Sequence, residues 1–253
     1  MAAEKALGLV LRVIDFSESS AIVTIFTREF GKISGLAKGG RRLKGPFESA
    51  LDLLSRIRVV FLRKSSGTLD LLTEAKLERR FRGRDRDLVS LYAGYYVAEL
   101  LGELTDEHDS HPELFDVADE TLTALAHDPA TAALVLRFEL AALVLLGHLP
   151  SLKYCAECGQ PVTPTAGRIH FSQRSGGVLC PRCRPGKPQV VSVSAGVVRV
   201  LEHFAELESD SWKRLELDRR TQGELRAVMN HYLTNLLGHT PRMHRFLGLL
   251  HGG

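Results

Sequence analysis

The sequence predicts an α+β chain in two parts, a small β-barrel followed by an α-helical region that carries a four-cysteine insertion. Three observations predict it. The first eighty residues hold five short β-branched or alternating segments and no helix-length periodicity. From about residue 83 the apolar residues take helical spacing. Two Cys-x-x-Cys pairs then interrupt the helical part. With 253 residues, the chain has room for one large domain or two ordinary ones. Hydrophobic residues at 44% and charged ones at 25% exclude wholesale disorder. The nearest approach to a membrane span, residues 140–146, is far too short. The opening MAAEKALGLVLRV contains an acid and no small-residue cleavage site, so no signal peptide is expected. These features lead us to expect a cytoplasmic protein whose four cysteines are metal ligands rather than disulfides.

The strands are read in order. Residues 7–13 alternate weakly, residues 21–27 (AIVTIFT) are β-branched and aromatic, and residues 31–37 follow a glycine turn. Residues 56–61 (RIRVVF) have period two, with Ile57, Val59 and Phe61 inward and Arg56 and Arg58 on the other face. Ser65-Ser66-Gly67 turns into a fifth strand over 68–77. Five strands in this length suit the oligonucleotide-binding (OB) barrel, with an SH3-like barrel as the other candidate.

The helices follow. Leu88, Leu91, Tyr92, Tyr95 and Leu100 set an apolar stripe within 87–104. His111-Pro112 and Asp128-Pro129 place proline where a first helical turn tolerates it. Residues 130–146 are apolar nearly all round, as the central helix of a bundle would be. Residues 194–207 are a further helix, Thr221-Gln-Gly-Glu224 reads as a capping box, and Thr240-Pro241 opens a last short helix. The expected domains are 1–82, the barrel, and 83–253, the helical part with its cysteine element at about 154–186.

Charge is uneven. Residues 1–83 carry +7, residues 84–150 carry −10 and residues 151–253 carry +6. Either a partner is chosen by charge, or the basic ends dock on the acidic middle. The densest basic segment is Lys38-Gly-Gly-Arg41-Arg42-Leu-Lys44, with Arg56, Arg58, Arg63 and Lys64 on a neighbouring strand. On an OB barrel these eight cations would line a groove tracking a nucleic-acid backbone with little sequence preference. A solvated loop is the alternative. Phe30, Phe47 and Phe81 are candidates for stacking on bases or for the core.

Cys155-Ala-Glu-Cys158 and Cys180-Pro-Arg-Cys183 are separated by 21 residues rich in glycine and proline. Two-residue spacing lets both thiolates of a turn reach one tetrahedral ion, and a second such knuckle closes the shell. This is a zinc-ribbon pattern, predicting one structural Zn²⁺ per chain with no position left open for water. A thioredoxin-like pair would need a βαβ context, and a zinc deaminase a His-x-Glu; His170 is followed by Phe171 and Ser172. No nucleophile elbow, zincin, Walker A or dinucleotide motif occurs. The carboxylates of 99–120 suit exposed faces and helix starts better than a nuclease centre. We therefore expect no catalysis.

These residues resemble the RecO family of bacterial recombination mediators. Glu18-Ser-Ser20, Phe26-Thr-Arg-Glu-Phe-Gly-Lys32 and Ala37-Lys-Gly-Gly-Arg-Arg42 resemble its barrel and basic loop. Tyr92-Ala-Gly-Tyr-Tyr96 with Glu99-Leu100 resembles its first long helix. Most specific are Arg137-Phe-Glu-Leu140, Leu146-Gly-His-Leu-Pro150, Cys155-x-x-Cys158-Gly159 and Gly176-Gly-Val-Leu-Cys180-x-x-Cys183. The likeness covers about 5–250 and is weakest after 195. It implies an N-terminal OB domain and a helical domain with a zinc element. It also implies binding of single- and double-stranded DNA, strand annealing without turnover, and partnership with RecR. Members also act with single-stranded-DNA-binding protein to help RecA load, which implies nucleoid association. Not every member keeps all four cysteines, as this chain does. The other classes open to the residues are an adaptor whose basic patch binds acidic protein tails and a metal-dependent repair nuclease.

Overall fold

The structure is a computed structural model that describes residues 3–42, 44–47, 49–64, 69–84, 87–163 and 167–248. Five strands close a barrel in the order β1-β2-β3-β5-β4. They are β1 (Ala3–Asp15), β2 (Ala21–Thr27), β3 (Gly31–Ala37), β4 (Arg56–Leu62) and β5 (Asp70–Arg79). The β3–β5 pair is parallel and the other pairs are antiparallel, the connectivity expected of an OB barrel. The alternation of β4 buries Ile57, Val59 and Phe61 as predicted. β1 is longer than its pattern suggested because its two halves pair mainly with different neighbours. Ala3–Leu9 pairs with β4 and Gly8–Asp15 pairs with β2, with a bulge between Val10 and Arg12. The expected turn at 65–67, Thr68 and the insertion's Pro164 lie outside the described residues.

The helices are α1 (Leu88–Leu104), α2 (Pro112–Leu125), α3 (Thr131–Leu145), α4 (Ala195–Ala205), α5 (Arg219–Leu237) and α6 (His244–Leu247). Between α3 and α4 lies a three-stranded sheet, order β7-β6-β8, built from β6 (Arg168–Ser172), β7 (Gly177–Leu179) and β8 (Val190–Ser194). β8 was not evident from sequence, where its short VVSVS run merges with the helix after it. The capping box at 221–224 is corrected. Asp218 is the N-cap of α5 and accepts from the Thr221 backbone N at 2.8 Å, while Glu224 accepts from the Ser194 backbone N at 3.0 Å.

The chain divides into two compact units, residues 1–135 and 136–253. In the first, α1 packs on β1 and α2 on β2, with the Phe26 and Phe115 ring centroids 6.2 Å apart. The inner face of α2 is acidic. Asp116 accepts from Arg28 Nε and Nη2 at 2.8 and 2.9 Å, and Asp119 accepts from Arg56 at 2.6 Å and from Arg79. The bonds from Arg28 hold the Asp116 carboxyl below the usual carboxylate range. At these residues the acidic middle of the chain docks on its own basic barrel.

In the second unit, the fully buried Glu139 of α3 accepts from Arg226 Nη2 of α5 at 2.5 Å. Arg137 donates to the carbonyls of Phe204, Glu206 and Leu207 at the end of α4, where cations suit orphaned acceptors. Replacing Arg226 with Met leaves a carboxylate in the core and should cost about 3–5 kcal/mol in urea unfolding, with a smaller loss when Glu139→Leu accompanies it. Burial, reinforced by the charge of Arg226, lowers the pKa of His244 to about 4. Between pH 6.5 and 4 the unfolded chain therefore takes a proton that the folded one refuses. Stability should be complete above 6.5 and fall as pH drops toward 4, by on the order of 3 kcal/mol. Thermal melts across that window should show this loss in the wild type and a flatter profile in His244→Gln.

Candidate nucleic-acid interface and metal centre

The basic loop leaves β3 at Lys38 and is shaped by its own backbone. Gly39 lies at φ +77°, a conformation that favours glycine, and Arg42 N closes a turn onto Gly39 O at 3.0 Å. Beyond the cations the loop is anchored from inside the barrel. Phe47 and Ala50 are buried in its core, and Ala75 N donates to Pro46 O at 2.9 Å. Lys38, Arg41, Arg42 and Lys44 are therefore solvent-exposed side chains on a tethered loop.

The eight cations singled out from sequence separate into two groups. Lys38, Arg42, Lys44, Arg63 and Lys64 form no ion pair among the described residues. Lys38, Arg63 and Lys64 line one groove of about 1050 Å³, which also carries Leu36, Leu71, Glu107 and His108. Arg41, Arg56 and Arg58 are each held by acids. Arg41 Nη2 lies 3.1 Å from Asp15, Arg56 lies 3.2 Å from Glu78 and 2.6 Å from Asp119, and Arg58 also bonds Glu78. Arg58 comes first among the groups that keep the Glu78 carboxyl ionised to lower pH. Lys32, another barrel cation, donates to the carbonyls of Gly102, at 2.6 Å, and Thr105 at the end of α1, and burial lowers its pKa.

The three candidate stacking rings pack inward. Phe47 is buried, Phe30 meets Phe61 edge-on at 5.5 Å, and Phe81 lies against Gly94 of α1. The exposed ring of the barrel is instead Phe16, in the β1–β2 hairpin. Phe16 lies outside the basic segment, so no charge signal in the sequence marks it.

The second site is the cysteine cluster, in which all four Sγ atoms lie within 4.8 Å of one another. Two knuckles bring them together. Cys155 N donates to Gln160 O at 2.8 Å and Gly159 N to Cys155 O at 2.9 Å, folding the first pair. The second pair follows β7 directly, with Cys183 N on Cys180 O at 3.1 Å. Ala156 N on Val178 O at 2.9 Å joins one knuckle to the strand that feeds the other. Cys155, Leu179 and Cys180 form a small core with Val162 and Val190. Cys158 is exposed and Cys183 half-buried.

The electrostatics suit a cation. Burial raises the Cys155 thiol, but backbone N–H groups led by that of Cys180 outweigh it and bring the pKa down to about 6. Cys183, pressed by the sulfurs of Cys158 and Cys180, is pushed up to about 12. Neighbouring thiolates repel, and a metal ion at their centre removes that repulsion. A tetrahedral ion with metal–sulfur bonds of about 2.3 Å needs sulfurs about 3.8 Å apart. Cys158 and Cys180 are separated by 3.8 Å. All the metal ligands named from sequence thus converge, and four thiols of this kind could hold one metal ion.

An OB barrel with a cation-lined groove, followed by a helical part with a four-cysteine knuckle pair, defines a two-part class. The family model described as Recombination protein O N terminal matches residues 1–81, and that described as Recombination protein O C terminal matches 85–246. The chain is similar to a "DNA repair protein RecO" of Rhodopirellula baltica, 39% identical over 95% of this chain and 97% of that one. It is also similar to proteins of the same name from Anaeromyxobacter dehalogenans, 34% identical over 98% of both, and Halalkalibacterium halodurans, 29% identical over 97% and 94%. The chain belongs to the RecO family. Among the described residues no helix is long and apolar enough to cross a membrane.

Proposed function

We propose that this chain is a non-catalytic DNA repair and recombination mediator of the cytoplasm, associated with the nucleoid. In this reading it binds single- and double-stranded DNA, anneals complementary strands and, with RecR, helps load RecA on DNA coated by single-stranded-DNA-binding protein. Membership of the RecO family and the relatives' printed name support the repair role. One observation carries the DNA-binding part: Lys38, Arg42, Lys44, Arg63 and Lys64 form no ion pair among the described residues, on and beside a tethered loop of an OB barrel. Residues 1–82 are then the nucleic-acid-binding domain and 83–253 the helical domain.

The physics is backbone neutralisation. Each lysine or arginine that meets a phosphate releases a condensed counterion, so affinity falls as a power of salt concentration and depends little on sequence. Two neutralised strands repel each other less, and base pairing then supplies the specificity. Arg41, Arg56 and Arg58 share their charge with carboxylates and contribute less in this account.

Annealing of two complementary labelled strands across a salt series tests the proposal. Acceleration that fades with salt, without strand cleavage in Mg²⁺, is the expected result; no acceleration at low salt overturns it in favour of the adaptor reading. Arg42→Glu with Lys44→Glu should weaken single- and double-strand binding alike, and flatten the salt slope by about 0.7 for each lost single-strand phosphate contact. A change in sequence preference alone would contradict backbone neutralisation.

Cys155, Cys158, Cys180 and Cys183 are proposed to hold one structural Zn²⁺ per chain. Zinc bound there would supply folding free energy to the ribbon, on the order of 10 kcal/mol in isolated fingers. Protein purified without added zinc should contain about one equivalent by metal analysis, and Cys155→Ser should lower both that content and the melting temperature. Folded protein with near-zero stoichiometry would refute the assignment.

A further inference from the structure

Phe16 is 61% exposed, the most exposed large apolar side chain among the described residues, and Val13 and Ile14 beside it are exposed as well. An aromatic ring in water at the tip of a hairpin contributes nothing to the barrel core, and the hairpin does not leave it loose. Phe16 N and Ser17 N donate to Ser20 O at 3.0 and 3.2 Å, and Ser20 N donates to Ser17 Oγ at 3.1 Å. The basic loop then fastens this turn from outside. Arg41 N donates to Ser19 O at 3.1 Å, its Nη1 to Ser17 O at 2.9 Å, and its Nη2 lies 3.1 Å from Asp15 Oδ2. Both residues that flank Phe16 are thus bonded to Arg41, and Arg42 follows it in the chain.

We propose that Phe16 is a stacking platform for a base of single-stranded DNA, and that Arg41 is a positioning residue which sets the ring beside the phosphate-binding cations of its own loop. This rests on the DNA-binding reading above and deepens it. The occupant follows from the juxtaposition of chemistries. A nucleotide offers an apolar π-face and an anion a few ångströms apart, and the hairpin and loop offer an exposed ring beside guanidinium and ammonium groups that form no ion pair among the described residues. A base held through its face keeps its pairing edge uncovered, which an annealing protein requires. Duplex DNA hides its base faces in its own stack and would meet only the cations.

The test compares single- and double-stranded binding in Phe16→Ala, Phe16→Tyr and Phe16→Trp. Phe16→Ala should lose about tenfold in affinity for an oligothymidylate while its duplex affinity and its salt slope stay unchanged, and Phe16→Tyr should restore the loss. Phe16→Trp should gain an emission that oligothymidylate quenches and duplex does not. Arg41→Ala should show the same single-strand bias in a weaker form. Because Phe16 is exposed, these variants keep the fold, which circular dichroism checks. Unchanged single-strand affinity in Phe16→Ala, with wild type binding normally, overturns the stacking role alone and gives the hairpin tip to a protein partner. Equal losses on both DNA forms also overturn it, and failure of wild type to bind either form overturns the DNA-binding reading as well.

Discussion

The barrel closes on β1, the longest of its five strands, whose two ladders are staggered along its length. Its first half runs against β4 and its second against β2, and Gly8 and Leu9 pair on both sides at once. The bulge at Val10 bends the strand from one partner to the next. Gly8 stands where the two ladders overlap, and a Cβ there would sit 2.4 Å from Ile25 Cγ2. The DNA-binding proposal hangs from this closure. It puts the β1–β2 hairpin beside the loop that leaves β3, and it lines β3 and β5 up in parallel so that Lys38 and the residues preceding β5 share a groove.

The second organising fact is how the first unit divides its cations. Arg28, Arg56 and Arg79 are consumed by Asp116 and Asp119 of α2, and Lys32 by the carbonyls that end α1. Such pairs, partly shielded from water, orient the helices on the barrel more than they stabilise it. What remains is a set of cations at the loop and groove with no such partner among the described residues. A net charge counted along the chain cannot make that distinction, because it assigns every arginine the same role. Internal docking therefore accounts for Arg28, Arg56 and Arg79, and the proposed external partner concerns only the loop and groove cations.

This also explains how much could be read from sequence. The barrel was legible because alternation and β-branching survive in strands with one face in a core, and Ile57, Val59 and Phe61 behave as their spacing demands. The four cysteines were legible because ligand spacing is local to each knuckle. Long-range partners were not. Nothing in the local pattern distinguishes Arg56, paired with an aspartate 63 positions away, from Arg63, which has no such partner among the described residues. Glu224 looked like half of a capping box because its true partner, the backbone N of Ser194, lies 30 residues upstream. β8 was missed because five residues of Val and Ser running straight into a helix carry no boundary signal.

The Arg137-Phe138-Glu139 run is a structural one. Phe138 is buried, Glu139 meets Arg226 in the core, and Arg137 holds the carbonyls that close α4. Consecutive residues on a helix point about 100° apart, so Arg137 and Glu139 tie the end of α4 and α5 to α3 from different sides. They tie the helical unit together, whereas the chemistry proposed for this chain lies at exposed places: a hairpin tip, a glycine-turned loop and a pair of thiol knuckles. On the proposed reading, neutralising and presenting strands calls for fixed spacing between the cations and the exposed ring. The Arg41 strut between hairpin and loop supplies that spacing directly.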